Sequence, residues 1–258
     1  MIILTGDVHS KRMGGWEQKA IGSEILASKR YLEILKKHKV SCTLFINGVC
    51  LDNDEERKGV KELLKYDVEL GGHTYNNFNS MNIIKSYIYR KIWNCIYGPA
   101  SYQRKDIKKT KMAFENFGFK MNSWRTHAFG SNKQTFKILE EEEVKYVSDL
   151  LGNLKPFKSN KITHVPINIP VDQNTIEYGE LNPENRNPFA SCTKGRIKPG
   201  EWFEILKKRV NENERKRDIS VILIHPVTMA CLDDFNLFEK IVKFLSKYKS
   251  KKISDLKI

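Results

Sequence analysis

Four of the six histidines in the chain, His9, His73, His127 and His225, each stand where a short apolar run gives way to an expected turn or loop segment; only His38 and His164 fall elsewhere. Imidazoles titrate near neutral pH and ligate metals, and four of them at successive strand ends are hard to assign to packing. Asp7 and His9 are two apart just after Ile2-Ile3-Leu4, so in an extended chain both side chains leave one face and can share one site. An Asp before a loop equally suits a turn or a helix cap. Gly71-Gly72-His73-Thr74-Tyr75-Asn76-Asn77 sets a His and an Asn four residues apart, a spacing that on a helical turn suits a divalent cation. Trp124-Arg125-Thr126-His127 supplies a permanent cation able to hold a carboxylate such as Asp7 ionised. The apolar run Val221–Ile224 delivers His225, well placed for a general acid.

The elements that must position these groups alternate in type. Extended runs are expected at Ile2–Thr5, Cys42–Asn47, Val68–Gly71, Asn122–Arg125, Lys145–Ser148, Thr163–Asn168 and Ile219–Ile224. Helical spacing is expected between them. From Glu17 to His38, Ile21, Ile25, Leu32 and Leu35 share a face, and Leu237, Ile241 and Phe244 do so between Asp233 and Lys247. Further helices are expected over Asp54–Lys65, Ile83–Trp93, Gln103–Phe117, Lys133–Glu143 and Trp202–Asn211. Strand followed by helix, repeated, implies a parallel sheet covered by helices, and seven strands approach the number that closes a barrel. In such a fold the strand C-termini converge, which is where the histidines lie. The stretch Val171–Gly200 breaks the rhythm, and reads equally well as a functional cover over the site or as an exposed excursion.

The 258 residues, 40% hydrophobic and 29% charged, describe one globular domain spanning 1–258 and exclude disordered and fibrous classes. The apolar run Val221–Leu232 is far short of the roughly 20 residues of a bilayer span, so no membrane association is expected. MIILTGDV has the pattern of a first strand and not of a signal peptide, which predicts a cytoplasmic chain. Cys42, Cys50, Cys95, Cys192 and Cys231 form an odd set without a C-x-x-C pair and are expected to be reduced. The net charge of +14 raises a nucleic-acid partner, but the basic clusters are scattered over helix ends and polar faces, which argues against one. No G-x-S-x-G elbow, phosphate-binding P-loop or dinucleotide fingerprint occurs.

In order, Leu4-Thr5-Gly6-Asp7-Val8-His9, the strand Cys42–Ile46, His73-Thr74-Tyr75-Asn76-Asn77, Trp124-Arg125-Thr126-His127 and Leu223-Ile224-His225 resemble the motifs of the polysaccharide deacetylase family, also called the NodB-homology or carbohydrate esterase family 4 group. The resemblance implies a distorted parallel (β/α) barrel of about seven strands and a metal-dependent hydrolase that removes N-acetyl or O-acetyl groups from a carbohydrate. It implies one divalent ion, zinc with cobalt or nickel as alternatives. Carried over residue by residue, it makes Asp7 the base, His225 the acid and Arg125 the partner of Asp7. His9, His73 and Asn77 become the metal ligands, and His127, Tyr75 and Trp124 substrate contacts. Two departures stand out: Asp7-Val8-His9 replaces a consecutive Asp-Asp, and Asn77 occupies the place of a second histidine. An amide oxygen is a weaker zinc ligand than imidazole, so a catalytically inactive carbohydrate-binding or regulatory protein is the alternative.

Overall fold

A computed structural model describes residues 1–13, 21–92, 94–177 and 197–257. The strands are β1 (Ile2–Val8), β2 (Cys42–Ile46), β3 (Val68–Gly72), β4 (Ser123–Trp124), β5 (Tyr146–Val147), β6 (Phe157–Ser159), β7 (Ile162–His164) and β8 (Ser220–Leu223). Between and after them lie α1 (Glu24–Lys37), α2 (Val49–Asp52), α3 (Asp54–Leu63), α4 (Ile83–Ile92), α5 (Ala100–Asn116), α6 (Lys133–Glu141), α7 (Pro199–Arg215), α8 (Pro226–Asp233) and α9 (Asn236–Leu245). The fold is mixed α/β on a central sheet ordered β6-β7-β5-β4-β3-β2-β1-β8, parallel throughout except for the pair β6–β7.

All seven expected strands are present, and β6, short and exposed, is an addition. The ladder ends at β6 and β8 without pairing them. Asn168 spans the remaining gap: its N–H donates to the Val221 carbonyl at 3.2 Å, its Nδ2 donates to the Ile219 carbonyl at 2.8 Å, and its Oδ1 accepts from the Val221 N–H at 2.9 Å. One side chain thus continues the ladder where regular pairing stops.

Strand alternation sorts the side chains into two cores. Ile2, Leu4, Cys42, Leu44, Ile46, Ile222 and Ile224 face the helices, whereas Ile3, Phe45, Val165, Ile167, Val221 and Leu223 pack inside the curved sheet with Ile253 and Leu256. Asp7 and His9 share the parity of Ile3, Arg125 and His127 that of Ser123, and His225 that of Leu223, so the inward rows that are apolar at mid-strand become polar at the C-terminal ends.

Helix boundaries differ from the sequence expectation for local reasons. Of the expected helix Glu17–His38, α1 covers Glu24–Lys37: Gly22 has φ of 76° and Ser23 caps α1 by accepting the Leu26 N–H. Residues 14–20 of that expectation lie outside the described residues, as does Trp93 at the end of α4. The expected helix Asp233–Lys247 begins at Asn236 instead, because Asp234 and Phe235 adopt left-handed conformations with φ of 50° and 68° and separate it from α8, which ends at Asp233. Of Val171–Gly200, residues 178–196 are not described; Val171 and Asp172 are buried and Gln173–Glu177 form a wide helical turn. Cys42, Cys50, Cys95 and Cys231 are free thiols, and Cys192 is outside the described residues. No described helix is long and apolar enough to cross a membrane.

Candidate metal centre and active site

Three imidazoles meet above the C-terminal ends of β1, β3 and β4. The ring centroids of His9, His73 and His127 form a nearly equilateral triangle with sides of 5.1, 5.2 and 5.4 Å. One nitrogen from each lies within 4.8 Å of the others. His73 Nε2 and His127 Nδ1 are 3.4 Å apart, close to the separation of about 3.4 Å that two nitrogens adopt on a tetrahedral ion with bonds near 2.0–2.1 Å.

Each ring is held so that a nitrogen remains for a ligand. His73 Nδ1 lies 2.9 Å from the Arg125 carbonyl, which selects the tautomer with the proton on Nδ1 and turns the Nε2 lone pair inward. Burial pushes its pKa down to about 3 against the pull of Asp7, and a neutral ring is the ligating form. His9 Nδ1 sits 3.1 and 3.2 Å from the two oxygens of Glu24, whose carboxylate also accepts the His9 backbone N–H at 2.8 Å. Burial disfavours its charge, but Glu24 overcomes this and raises the His9 pKa. His9 Nε2 is buried without a hydrogen-bond partner, an orphan that a metal ion would satisfy. His127 shares the inward parity of Ser123, and the residues that follow it, Ala128 and Phe129, are left-handed with φ of 52° and 48°. The donor set fits a divalent ion of the zinc class, for which imidazole is a preferred ligand.

Asp7 lies beside this triad. Its Oδ1 accepts from Arg125 Nη1 at 2.8 Å, while Oδ2 stands 3.9 Å from His73 Nε2 and 3.8 Å from His225 Nε2. Arg125 is fully buried and anchored on every side. Its Nε donates to the Ser148 carbonyl at 3.0 Å, its Nη2 to Thr5 Oγ1 at 3.0 Å and to Ser148 Oγ at 2.7 Å, and its guanidinium stacks 4.4 Å from the Phe45 ring centre. Burial alone would raise the Asp7 pKa. Arg125, joined by His73 and His225, reverses that and holds the carboxyl well below the usual range.

His225 is paired with a carboxylate absent from the sequence expectation. Its Nδ1 lies 2.7 Å from Asp172 Oδ1, and its backbone N–H donates to Asp172 Oδ2 at 2.8 Å. Burial opposes protonation, yet the charge and hydrogen bond of Asp172, with Asp7 behind them, raise the His225 pKa to about 9.

The structure thus brings together Asp7, His9, His73, Arg125, His127 and His225. Asn77 is placed differently from the expectation. Thr74, Asn77 and Phe78 have φ of 59°, 53° and 67°, so residues 73–77 form no helical turn and the four-residue spacing shares no face. The Asn77 amide oxygen accepts from Asn47 Nδ2 at 2.9 Å, and the same Nδ2 donates to the His73 carbonyl at 2.6 Å. The ring expected to touch substrate, His127, instead completes the triangle. Trp124 is fully buried with its Nε1 donating to Thr126 Oγ1 at 2.9 Å, on the helix-facing side of the sheet. The Tyr75 hydroxyl donates to Asp52 at 2.9 Å, and Lys109 lies over its ring at 3.8 Å. Glu24 and Asp172, which pair with His9 and His225, are carboxylates that sequence reasoning passed over. An acid at a helix start looks like a dipole partner, and Asp172 lies in a stretch without periodicity.

Residues 26–147, from within α1 to the end of β5, match the profile of the polysaccharide deacetylase family. That span contains His73, Arg125 and His127, whereas Asp7, His9, Asp172 and His225 lie outside it. No curated protein sequence matches the chain. A solved structure of a "putative polysaccharide deacetylase" from Mycobacterium smegmatis superposes with a TM-score of 0.69 at 15% identity, covering 98% of this chain and 86% of that one. Puue allantoinase superposes with a TM-score of 0.66 at 11% identity over 98% and 86% of the two chains. A CE4 family pseudoenzyme from Bacillus anthracis gives 0.53 at 19% identity, covering 99% of this chain and 64% of that one. At such identities the structural likeness is one of fold, a mixed α/β fold on a central, mostly parallel sheet. The profile match over residues 26–147 and these likenesses of fold make the chain similar to the polysaccharide deacetylase family.

Proposed function

We propose that the chain, as one domain over residues 1–258, is a metal-dependent hydrolase that removes an acetyl group from an acetylated carbohydrate, with zinc held by His9, His73 and His127. The observation that carries this reading is the juxtaposition of three convergent imidazoles with Asp7, whose Oδ2 stands between His73 and His225. Cobalt or nickel would suit the same donors.

A divalent ion bound there would acidify a water and polarise the acyl carbonyl. Asp7 Oδ2, the oxygen not engaged by Arg125, accepts the proton of the attacking water. The cations that keep Asp7 ionised also cost it basicity, so it can serve as base only toward a water that is already acidified. Arg125 fixes the carboxylate in place. His225, kept protonated by Asp172, delivers a proton from Nε2 to the leaving nitrogen of an amide or oxygen of an ester. Acetate and a free amino sugar or hydroxyl are the products.

Acetate release from N-acetylated chitin oligosaccharides and from O-acetylated xylan, measured with zinc-loaded protein, tests this reading. Turnover that falls about 10²–10⁴-fold in Asp7→Asn is expected. Stoichiometric zinc with no acetate from either substrate class would favour an inactive carbohydrate-binding protein on the same fold.

A further inference from the structure

Helix α4 has no buried side chain among its described residues, and Ile84, Tyr87 and Ile92 are 66%, 64% and 68% exposed. On a helical projection Ile84, Tyr87, Ile88 and Ile92 fall within an arc of about 140°, with Lys85 and Arg90 on its two edges. Lys91 falls inside the arc at the last turn. The surrounding stretch, residues 70–105, contains five basic residues, Lys85, Arg90, Lys91, Arg104 and Lys105, and no acidic one.

The helix is held at both ends against the rim of the active site. On one side Phe78 packs its ring 5.5 Å from that of His127, and Ser80 Oγ lies 3.0 Å from the Tyr102 hydroxyl. On the other, the Cys95 N–H donates to the Tyr89 carbonyl at 3.0 Å and Asn132 Nδ2 reaches Cys95 Sγ at 3.1 Å. The segment therefore presents an apolar face, edged with cations, beside the mouth that contains the imidazoles.

We propose that α4 is a docking surface for an anionic lipid bilayer, lying in the headgroup region with Ile84, Tyr87 and Ile92 turned into the acyl boundary and Lys85 and Arg90 on lipid phosphates. Charge selects this occupant. A short helix with an apolar face, basic edges and no acid matches an interfacial helix, while a second copy of a chain carrying +14 is repelled. The inference does not rest on the catalytic reading.

Co-sedimentation with vesicles of phosphatidylglycerol and phosphatidylcholine, against vesicles of phosphatidylcholine alone, tests it. The protein should pellet with the anionic vesicles and not with the neutral ones, and binding should weaken from low to moderate salt. The exposed double variants Lys85→Glu/Arg90→Glu and Tyr87→Ser/Ile92→Ser should each reduce binding about tenfold or more, with unchanged circular-dichroism melting curves. Absence of binding, equal binding to both vesicle types, or equal binding by the variants would overturn the proposal. So would a dimer in sedimentation equilibrium that Tyr87→Ser/Ile92→Ser dissolves, which would assign the face to a second copy.

Discussion

His9 Nδ1 lies within 3.2 Å of both oxygens of Glu24, and its Nε2 is buried without a partner. The carboxylate sets the tautomer and aim of the ring, as second partners of metal-ligating histidines do. Glu24→Gln keeps the size of the side chain and removes its charge. Zinc affinity is expected to fall about 10–100-fold in this variant, with little change in the urea midpoint. Competition against a chromogenic chelator measures the first quantity. Wild-type affinity in Glu24→Gln would detach Glu24 from the metal site.

Arg125 and Asp7 form a buried ion pair at 2.8 Å, and three further guanidinium hydrogen bonds go to Thr5 and Ser148. Arg125→Met strands the Asp7 carboxylate, and loss of one partner of such a pair costs about 3–5 kcal/mol. Arg125→Lys keeps a charge but cannot reproduce the fork. Urea denaturation should rank wild type above Lys and Lys above Met, and equal midpoints would contradict the account.

The His225 pKa is raised in the folded chain to about 9 from an ordinary value of 6.5. A raised histidine contributes stability that is complete below pH 6.5 and is lost as pH climbs through about 9. The same titration removes the proton needed by the leaving group, so acetate release should decline on the alkaline side near that value. In Asp172→Asn the alkaline limb should move down, toward neutral pH. A limb that stays in place in this variant would show that another group controls it.

Much of this was legible in the sequence: seven strands, the histidines at their ends, and the inward set of Asp7, His9, His73, Arg125 and His225. What escaped depends on backbone conformations that residue types leave undetermined. His127 rather than Asn77 joins the imidazole triangle because left-handed residues fall at Thr74, Asn77 and Phe78 and again at Ala128 and Phe129, and only the glycines among left-handed positions announce themselves. Glu24 and Asp172 act across long sequence separations, on His9 and His225 respectively, which local patterns do not report. The helix α8 was hidden because its apolar residues continue the run of β8 without a change in composition.

Gly71 lies between the stacking ring of Arg125 and strand β4. A Cβ there would stand 2.6 Å from Phe45 Cδ1 and 2.6 Å from Ser123 Oγ. Gly71→Ala must displace Phe45, on which the guanidinium rests, so a loss of about 1–3 kcal/mol is expected together with reduced turnover. Thermal melting and acetate release, measured on one preparation, check both effects. A variant as stable and active as wild type would mean that the ring can shift without disturbing Arg125.

Metal binding by substituted proteins bears most directly on the three-imidazole centre. Isothermal titration of zinc into the wild type at neutral pH should give one site per chain. The affinity should weaken as pH falls, because a proton competes for His9, whose pKa is raised by Glu24. His127→Ala should abolish tight binding, whereas Asn77→Ala should bind zinc with wild-type affinity. The reverse pattern, with zinc lost in Asn77→Ala and retained in His127→Ala, would contradict the assignment of His127 to the centre.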